Sequence, residues 1–226
     1  MFEHRLIPFQ EVSSVTLGEQ GRFYRKNDGP WYPSVTTVLG KMMNKEWLKA
    51  WTEKVGKDKA DKIMKRACLR GTSLHNIMEK YIRNDDSWEE DDPIDLILFR
   101  KVRPEIDQNV GTVLGIEVPL YCPSLRLAGR SDLVALWDGV PSIIDYKSSL
   151  FLRNEERIQA YLLQATLYSI MAQELFSINI PRIVLIIMVD SDLPQIVVRE
   201  TARYENEAVD LVRRYHALVD REKGVC

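Results

Sequence analysis

EVPLYCPSLRLAGRSDLVALWDGVPSIIDYKSS, from Glu117 to Ser149, decides the reading of this chain. It holds apolar, strand-like runs broken by turn residues. Asp132 lies on one run; Asp145 and Lys147 lie on the next, one residue apart. Strand side chains alternate faces, so Asp145 and Lys147 emerge side by side. Two carboxylates and a lysine on adjacent strands suit a divalent cation and an attacking water, the requirements of phosphodiester hydrolysis. A lone Asp-x-Lys reads first as an ordinary charged hairpin end. The Ile143-Ile144 run before it, and the second aspartate one hairpin away, favour a site.

Working outward, three strands are expected at about 113–121, 125–137 and 142–148. Asp138-Gly139 supplies a tight turn between the last two. A helix over about 155–176 follows, then an apolar, β-branched strand from Arg182 to Val189 of the kind buried on both faces. A further strand is expected at 195–201 and a closing helix at 203–221. Upstream, residues 13–17 and 22–26 read as a short hairpin, and Ser34 as a helix N-cap. The pattern from Lys45 to about Asn84 is helical, with Gly71 expected to divide it into two helices. Residues 85–95 carry seven acidic and no basic side chains and read as an exposed loop. Residues 94–109 read as another helix. Helices before, between and after the strands imply an α/β fold, a mixed central sheet flanked by helices with a helical N-terminal part.

The chain has 226 residues and a formal net charge of −2. That length supports one domain with a sizeable core. The expected parts are an extension over 1–32, a helical part over 33–110, a core sheet over 111–201 and a closing helix over 202–226. The balanced charge excludes strong whole-molecule attraction to nucleic acid, so any basic footprint must be local. Three widely spaced cysteines, Cys68, Cys122 and Cys226, form no CxxC site and cannot supply a four-cysteine iron–sulfur cluster. No 18-residue apolar run or targeting segment is evident, so a cytoplasmic location is expected.

Other pairs bear on the site. His75 and Glu79 are four apart on a helical pattern and share a face; a metal contact and a plain helix-surface pair both fit. Gln164 and Tyr168 are also four apart, with Tyr161 one turn earlier. Such a face holds phosphates or forms the polar edge of a core helix. Glu117 is either a further carboxylate beside Asp132 or a rim charge. Residues 41–70 hold ten Lys/Arg against four Asp/Glu, with Trp47 and Trp51 interleaved. Lys54, Lys57 and Lys62 crowd this stretch. Basic side chains track phosphates and aromatics stack on unpaired bases; a solvated face over a core tryptophan pair reads the same way.

Together Gly71-x-x-x-His75, Gly129-x-x-Asp132, Asp145-x-Lys147 and Gln164-x-x-x-Tyr168, in that order, resemble the PD-(D/E)XK nucleases of the RecB-like exonuclease branch. PSVTTVLGKMM and RGTSLHNIMEKYI look like the mitochondrial genome maintenance exonuclease group and its phage relatives. The resemblance covers roughly residues 33–190. It implies a restriction-endonuclease-like core and a Mg²⁺- or Mn²⁺-dependent deoxyribonuclease with one or two ions. His75, Asp132, Asp145 and the main-chain carbonyl of Tyr146 would ligate metal. Lys147 would position water, and Gln164 and Tyr168 would contact the substrate backbone and support the site. Glu117 and Glu79 are further candidates. DNA that is single-stranded or has free ends is the implied substrate, with a separate helicase or single-strand-binding protein as partner and no membrane. The missing organelle address favours a bacterial or phage-infected cell. A structure-selective flap or branch endonuclease fits the same motifs, and a non-catalytic DNA-binding protein of this fold is the third reading.

Overall fold

The computed structural model describes residues 1–43 and 46–222, apart from the Trp47 side chain. A five-stranded mixed sheet carries the molecule, in the order β4 (Val110–Cys122), β5 (Leu127–Trp137), β6 (Val140–Ser149), β7 (Arg182–Val189), β8 (Gln195–Glu200). All neighbours are antiparallel except β6 and β7. The turn joining β5 to β6 has positive φ at both Asp138 and Gly139, the backbone a two-residue hairpin of matching twist requires. The parallel step from β6 to β7 needs a crossover, and α5 (Glu155–Phe176) makes it. Sitting between that crossover and the antiparallel β8, strand β7 is buried along nearly its whole length. Its uninterrupted apolar run from Ile183 to Val189, rich in Ile and Val, follows from that position.

One face of the sheet packs on α5, α1 (Val35–Met42) and α6 (Glu205–Glu222). Ser34 caps α1, its hydroxyl accepting from the Thr37 N–H at 3.0 Å. In α6 the buried residues are Ala208, Leu211, Val212 and Tyr215, the spacing of an amphipathic helix. The other face packs on α3 (Lys57–Ile82) and α4 (Pro93–Asn109). A smaller sheet of β1 (Ser13–Thr16), β2 (Arg22–Arg25) and β3 (Tyr32–Pro33) leans on β4 and β5, Tyr24 packing with Tyr121 and Ala128. No helix among the described residues is long and apolar enough to cross a membrane.

Two expectations are corrected. Gly71 does not divide the helices. α3 runs unbroken through it for 26 residues, about 39 Å. The break falls at Gly56, whose φ of 88° suits the residue that lacks a Cβ and separates α3 from α2 (Glu46–Val55). A single glycine inside a long helix costs only about 1 kcal/mol, which packing against the sheet outweighs. The acidic stretch is not a plain exposed loop either. It contains a short 3₁₀ turn, Asp86–Glu90, that buries Trp88. Trp88 packs edge-on to Tyr81 at 5.5 Å and against Phe99 at 5.0 Å. Asp95 is buried on α4 and faces Arg70 at 3.9 Å. One tryptophan thus anchored the segment that its seven acids made look solvated.

Candidate metal and hydrolytic site

The site lies where β5 and β6 part. Their ladder runs from Trp137↔Val140 to Leu133↔Ile144 and stops there. The next residues would set Asp132 opposite Asp145. Instead, the Asp132 carboxylate takes over the role of the ladder, its Oδ2 accepting from the Tyr146 N–H at 2.8 Å. Beyond this fork β6 pairs only with β7. Two aspartates therefore sit on strands that have just separated, which opens room between them.

The third strand supplies Glu117. It lies between the partnered pairs Ile116↔Leu133 and Val118↔Ser131, opposite Asp132. Its φ is 50°, a left-handed backbone that costs a non-glycine residue about 1–2 kcal/mol. Arg130 holds it there, donating to the Glu117 carbonyl at 2.7 Å and to Glu11 at 2.7 Å.

From the other side comes His75 on α3. Its Nε2 lies 2.9 Å from the Tyr146 carbonyl. A carbonyl only accepts, so Nε2 carries the proton. The other ring nitrogen, Nδ1, faces Asp132 Oδ1 at 3.6 Å. With the ring neutral, Nδ1 is free to ligate a cation shared with that carboxylate. The ligand atoms of His75, Glu117 and Asp132 all lie within 4.8 Å of one another. Atoms bound to one ion are at most roughly 4–5 Å apart, so the three fit a single hard cation with one imidazole ligand. The crowding shows in Glu117. Burial first, then the charges of Asp132 and Glu79, push its carboxyl up to about 7.

Asp145 and Lys147 stand on the same face of β6, as their spacing requires. The Lys147 ammonium contacts Asp145 Oδ2 and lies 5.1 Å from the centre of the Tyr161 ring. Burial pulls the Lys147 pKa down, but the charges of Asp145 and Asp132 outweigh it and leave it raised. The lysine is therefore held as a cation. Asp145 is raised by burial against the pull of Lys147. Its other oxygen, Oδ1, accepts from Gln164 Nε2 at 3.0 Å, and that amide also lies 3.3 Å from the Tyr168 hydroxyl. Gln164 and Tyr168 are both buried, behind Asp145. Gly129 explains why Tyr168 fits: a Cβ there would meet Tyr168 Cε1 at 2.7 Å.

The structure thus brings together His75, Glu117, Asp132, Asp145, Lys147, Gln164 and Tyr168. It differs from the sequence-based expectation in who stands with whom. Glu117, expected as a further candidate, completes the three-residue group with His75 and Asp132. Asp145 lies beside that group with its oxygens turned to Lys147 and Gln164. The Tyr146 carbonyl faces His75. Glu79 pairs with Arg83 at 2.9 Å and acts on the site through its charge, felt by Glu117 and Tyr146. Lys54 is exposed on α2, and Lys57 and Lys62 on α3; none belongs to the group. Trp51 is half-buried, and the Trp47 side chain lies outside the described residues. Sequence reasoning passed over Arg130 and Arg70. Arg130 sits two residues before Asp132, a same-strand spacing that was the available signal. Arg70 directly precedes Gly71 and pairs through both guanidinium amines with Asp190 at the end of β7.

No protein-family model matches the chain, and no curated protein does. Among solved structures, the chain is similar to a crystal structure of a "Putative exonuclease" from Eubacterium rectale, with a TM-score of 0.48 and 10% identity over 70% of this chain and 69% of that one. So distant a likeness leaves the residues around the β5–β6 fork to speak for themselves.

Proposed function

We propose that this chain is a metal-dependent deoxyribonuclease of the PD-(D/E)XK type, acting as an exonuclease on single-stranded ends. The observation that carries the reading is the junction of two groups. A cation-sized cluster of His75, Glu117 and Asp132 sits at the fork of β5 and β6, beside a lysine kept charged by Asp145. Mg²⁺ or Mn²⁺ held by that cluster would supply charge stabilisation at a phosphoryl oxygen and a more acidic bound water. An imidazole among the carboxylates suits Mn²⁺ at least as well as Mg²⁺.

The chain's own residues do the rest. Nε2–H to the Tyr146 carbonyl fixes the His75 tautomer and aims Nδ1 into the cluster. Asp145 holds Lys147 in place, and Gln164 holds Asp145. Lys147 orients the attacking water by hydrogen bonding and offsets negative charge growing on the phosphate. With one of its oxygens on Gln164 and the other at Lys147, Asp145 is preorganised and need not rotate during turnover. Arg130 fixes the Glu117 backbone.

End-labelled single- and double-stranded DNA, linear and circular, incubated with EDTA, Mg²⁺ or Mn²⁺, tests the reading. Loss of linear strands alone, dependent on the cation and abolished by Asp132→Asn, is the expected result. Cutting of circles would make the protein an endonuclease. No cation-dependent cleavage of any strand would remove the nuclease assignment.

A further inference from the structure

Four large apolar side chains stand out into water at one end of the central sheet. Leu150, Phe151 and Leu152 are 54, 69 and 56% exposed, and Leu193 is 72% exposed. The first three lie on the link from β6 to α5, the fourth on the turn from β7 to β8. Neither loop is slack. The Asp190 N–H donates to the Ser149 carbonyl at 3.1 Å and the Ser191 hydroxyl to the Leu150 carbonyl at 2.9 Å. Ser149 Oγ donates to the Phe151 carbonyl at 2.6 Å. Gln195 closes the far side, accepting from the Arg153 N–H at 2.9 Å and donating to its carbonyl at 2.8 Å. Single exposed leucines are ordinary, but a cluster displayed on a fixed backbone marks a binding surface.

The pairing across β6 locates this ledge relative to the site. His75 meets Tyr146, and Gly71 lies by Ser148, so α3 runs antiparallel to β6. Residues 57–69 of α3 therefore continue past the end of β6, where the ledge lies. This half-helix is exposed on nearly every side, with only Ala60 buried among its described residues. It carries Lys57, Lys59, Lys62, Lys65 and Arg66 against Asp58 and Asp61. Lys147 precedes Leu150 by three residues, about 10 Å of strand. Cationic helix, apolar ledge and catalytic lysine thus share one end of the sheet.

We propose that the ledge holds unpaired nucleobases next to the phosphate at Lys147, with Phe151 as the stacking residue and Leu150, Leu152 and Leu193 around it. This rests on the nuclease reading. A duplex turns its phosphates outward and keeps its base faces stacked. Only an unpaired strand offers those faces to an apolar surface while its backbone meets a cationic one.

The test compares wild type with Phe151→Ser and Leu193→Ser in two assays. One is Mn²⁺-dependent hydrolysis of bis(p-nitrophenyl) phosphate, which carries no base. The other is affinity, in Ca²⁺, for a short oligothymidylate and for the same strand made abasic. Phe151→Ser should weaken oligothymidylate binding roughly 5- to 100-fold, with small-diester hydrolysis within about twofold of wild type. The abasic strand should bind wild type as weakly as oligothymidylate binds the variant, and the variant should not distinguish the two strands. Equal affinity of wild type for both strands overturns the proposal. So does an unchanged oligothymidylate affinity in Phe151→Ser, whether or not sedimentation shows a wild-type dimer lost in the variant. Base-dependent binding without hydrolysis of either diester or DNA would support the ledge and sink the nuclease reading alone. Because these side chains face water, matched thermal midpoints will show that the variants fold.

Discussion

Lys147 and Glu117 carry the sharpest expectations at the scale of single residues. Lys147→Met keeps an unbranched side chain one atom shorter and removes its charge. Single-turnover cleavage should fall by on the order of 10²-fold or more, while Mn²⁺ affinity, measured by calorimetry, changes little. Near-normal turnover would move the hydrolytic site elsewhere. Glu117 couples the site to pH. The folded protein keeps this proton up to about pH 7, whereas an ordinary glutamate releases it near 4.5. Between those values the folded state binds more protons than the unfolded one, so stability falls as pH rises through the window. Solvent reaches this half-buried group, which limits the effect to on the order of 1–2 kcal/mol. In EDTA, the thermal midpoint should decline between about pH 5 and pH 8, and Glu117→Gln should flatten that decline. An identical slope in the variant would show that another group is responsible. Saturating Mn²⁺ should reverse the trend, since the cation binds the ionised carboxylate.

Elements place these residues, and two contacts show how. β5 can approach α5 only because Gly129 has no side chain where Tyr168 lies. Gly129→Ala should cost about 1–3 kcal/mol through overpacking, lowering the midpoint by roughly 2–10 °C. It should also cut activity per folded molecule, because Tyr168 and Gln164 move with the strain. A stable, fully active Gly129→Ala protein would show that α5 tolerates the shift. α3 is fixed to the sheet by Arg70, which bridges Asp190 and Asp95. Removing it by Arg70→Ala leaves Asp95 without its cation. Peptide-resolved hydrogen exchange should then rise across α3, His75 included. Exchange confined to residues before 70 would mean that the outer half of α3 moves alone.

Across the whole molecule, a net charge of −2 conceals a local cationic limb. Charge reversal at Lys54, Lys57 and Lys62 should weaken DNA binding and reduce the slope of log affinity against log salt by up to about three counterions. An unchanged slope would return these lysines to a solvated surface. On the proposed function the limb and the cluster are complementary in sign: the carboxylates at the fork would repel phosphate until a cation is bound, and the limb would attract it throughout. DNA affinity should therefore rise on adding Ca²⁺, in a way that Asp132→Asn diminishes.

What the sequence by itself determined is local. The continuous apolar run placed β7, and the long helical stretch before it placed α5, at their observed bounds, because a strand buried on both faces needs apolar side chains at every position. Asp145 and Lys147 were legible as neighbours, since i and i+2 on a strand share a face wherever the strand goes. Gly71 misled because glycine inside a helix costs less than packing repays. The acidic run misled because one buried Trp88 outweighs many exposed charges. Only the tertiary structure decided that Glu117 joins His75 and Asp132, while Asp145 turns to Lys147 and Gln164. That choice depends on where the β5–β6 ladder stops and on a left-handed residue opposite Asp132. Both go with hydrogen bonds between neighbouring strands, the Tyr146 N–H to Asp132 and Arg130 to the Glu117 carbonyl. No local pattern records such bonds, because their energy exists only once the strands have met.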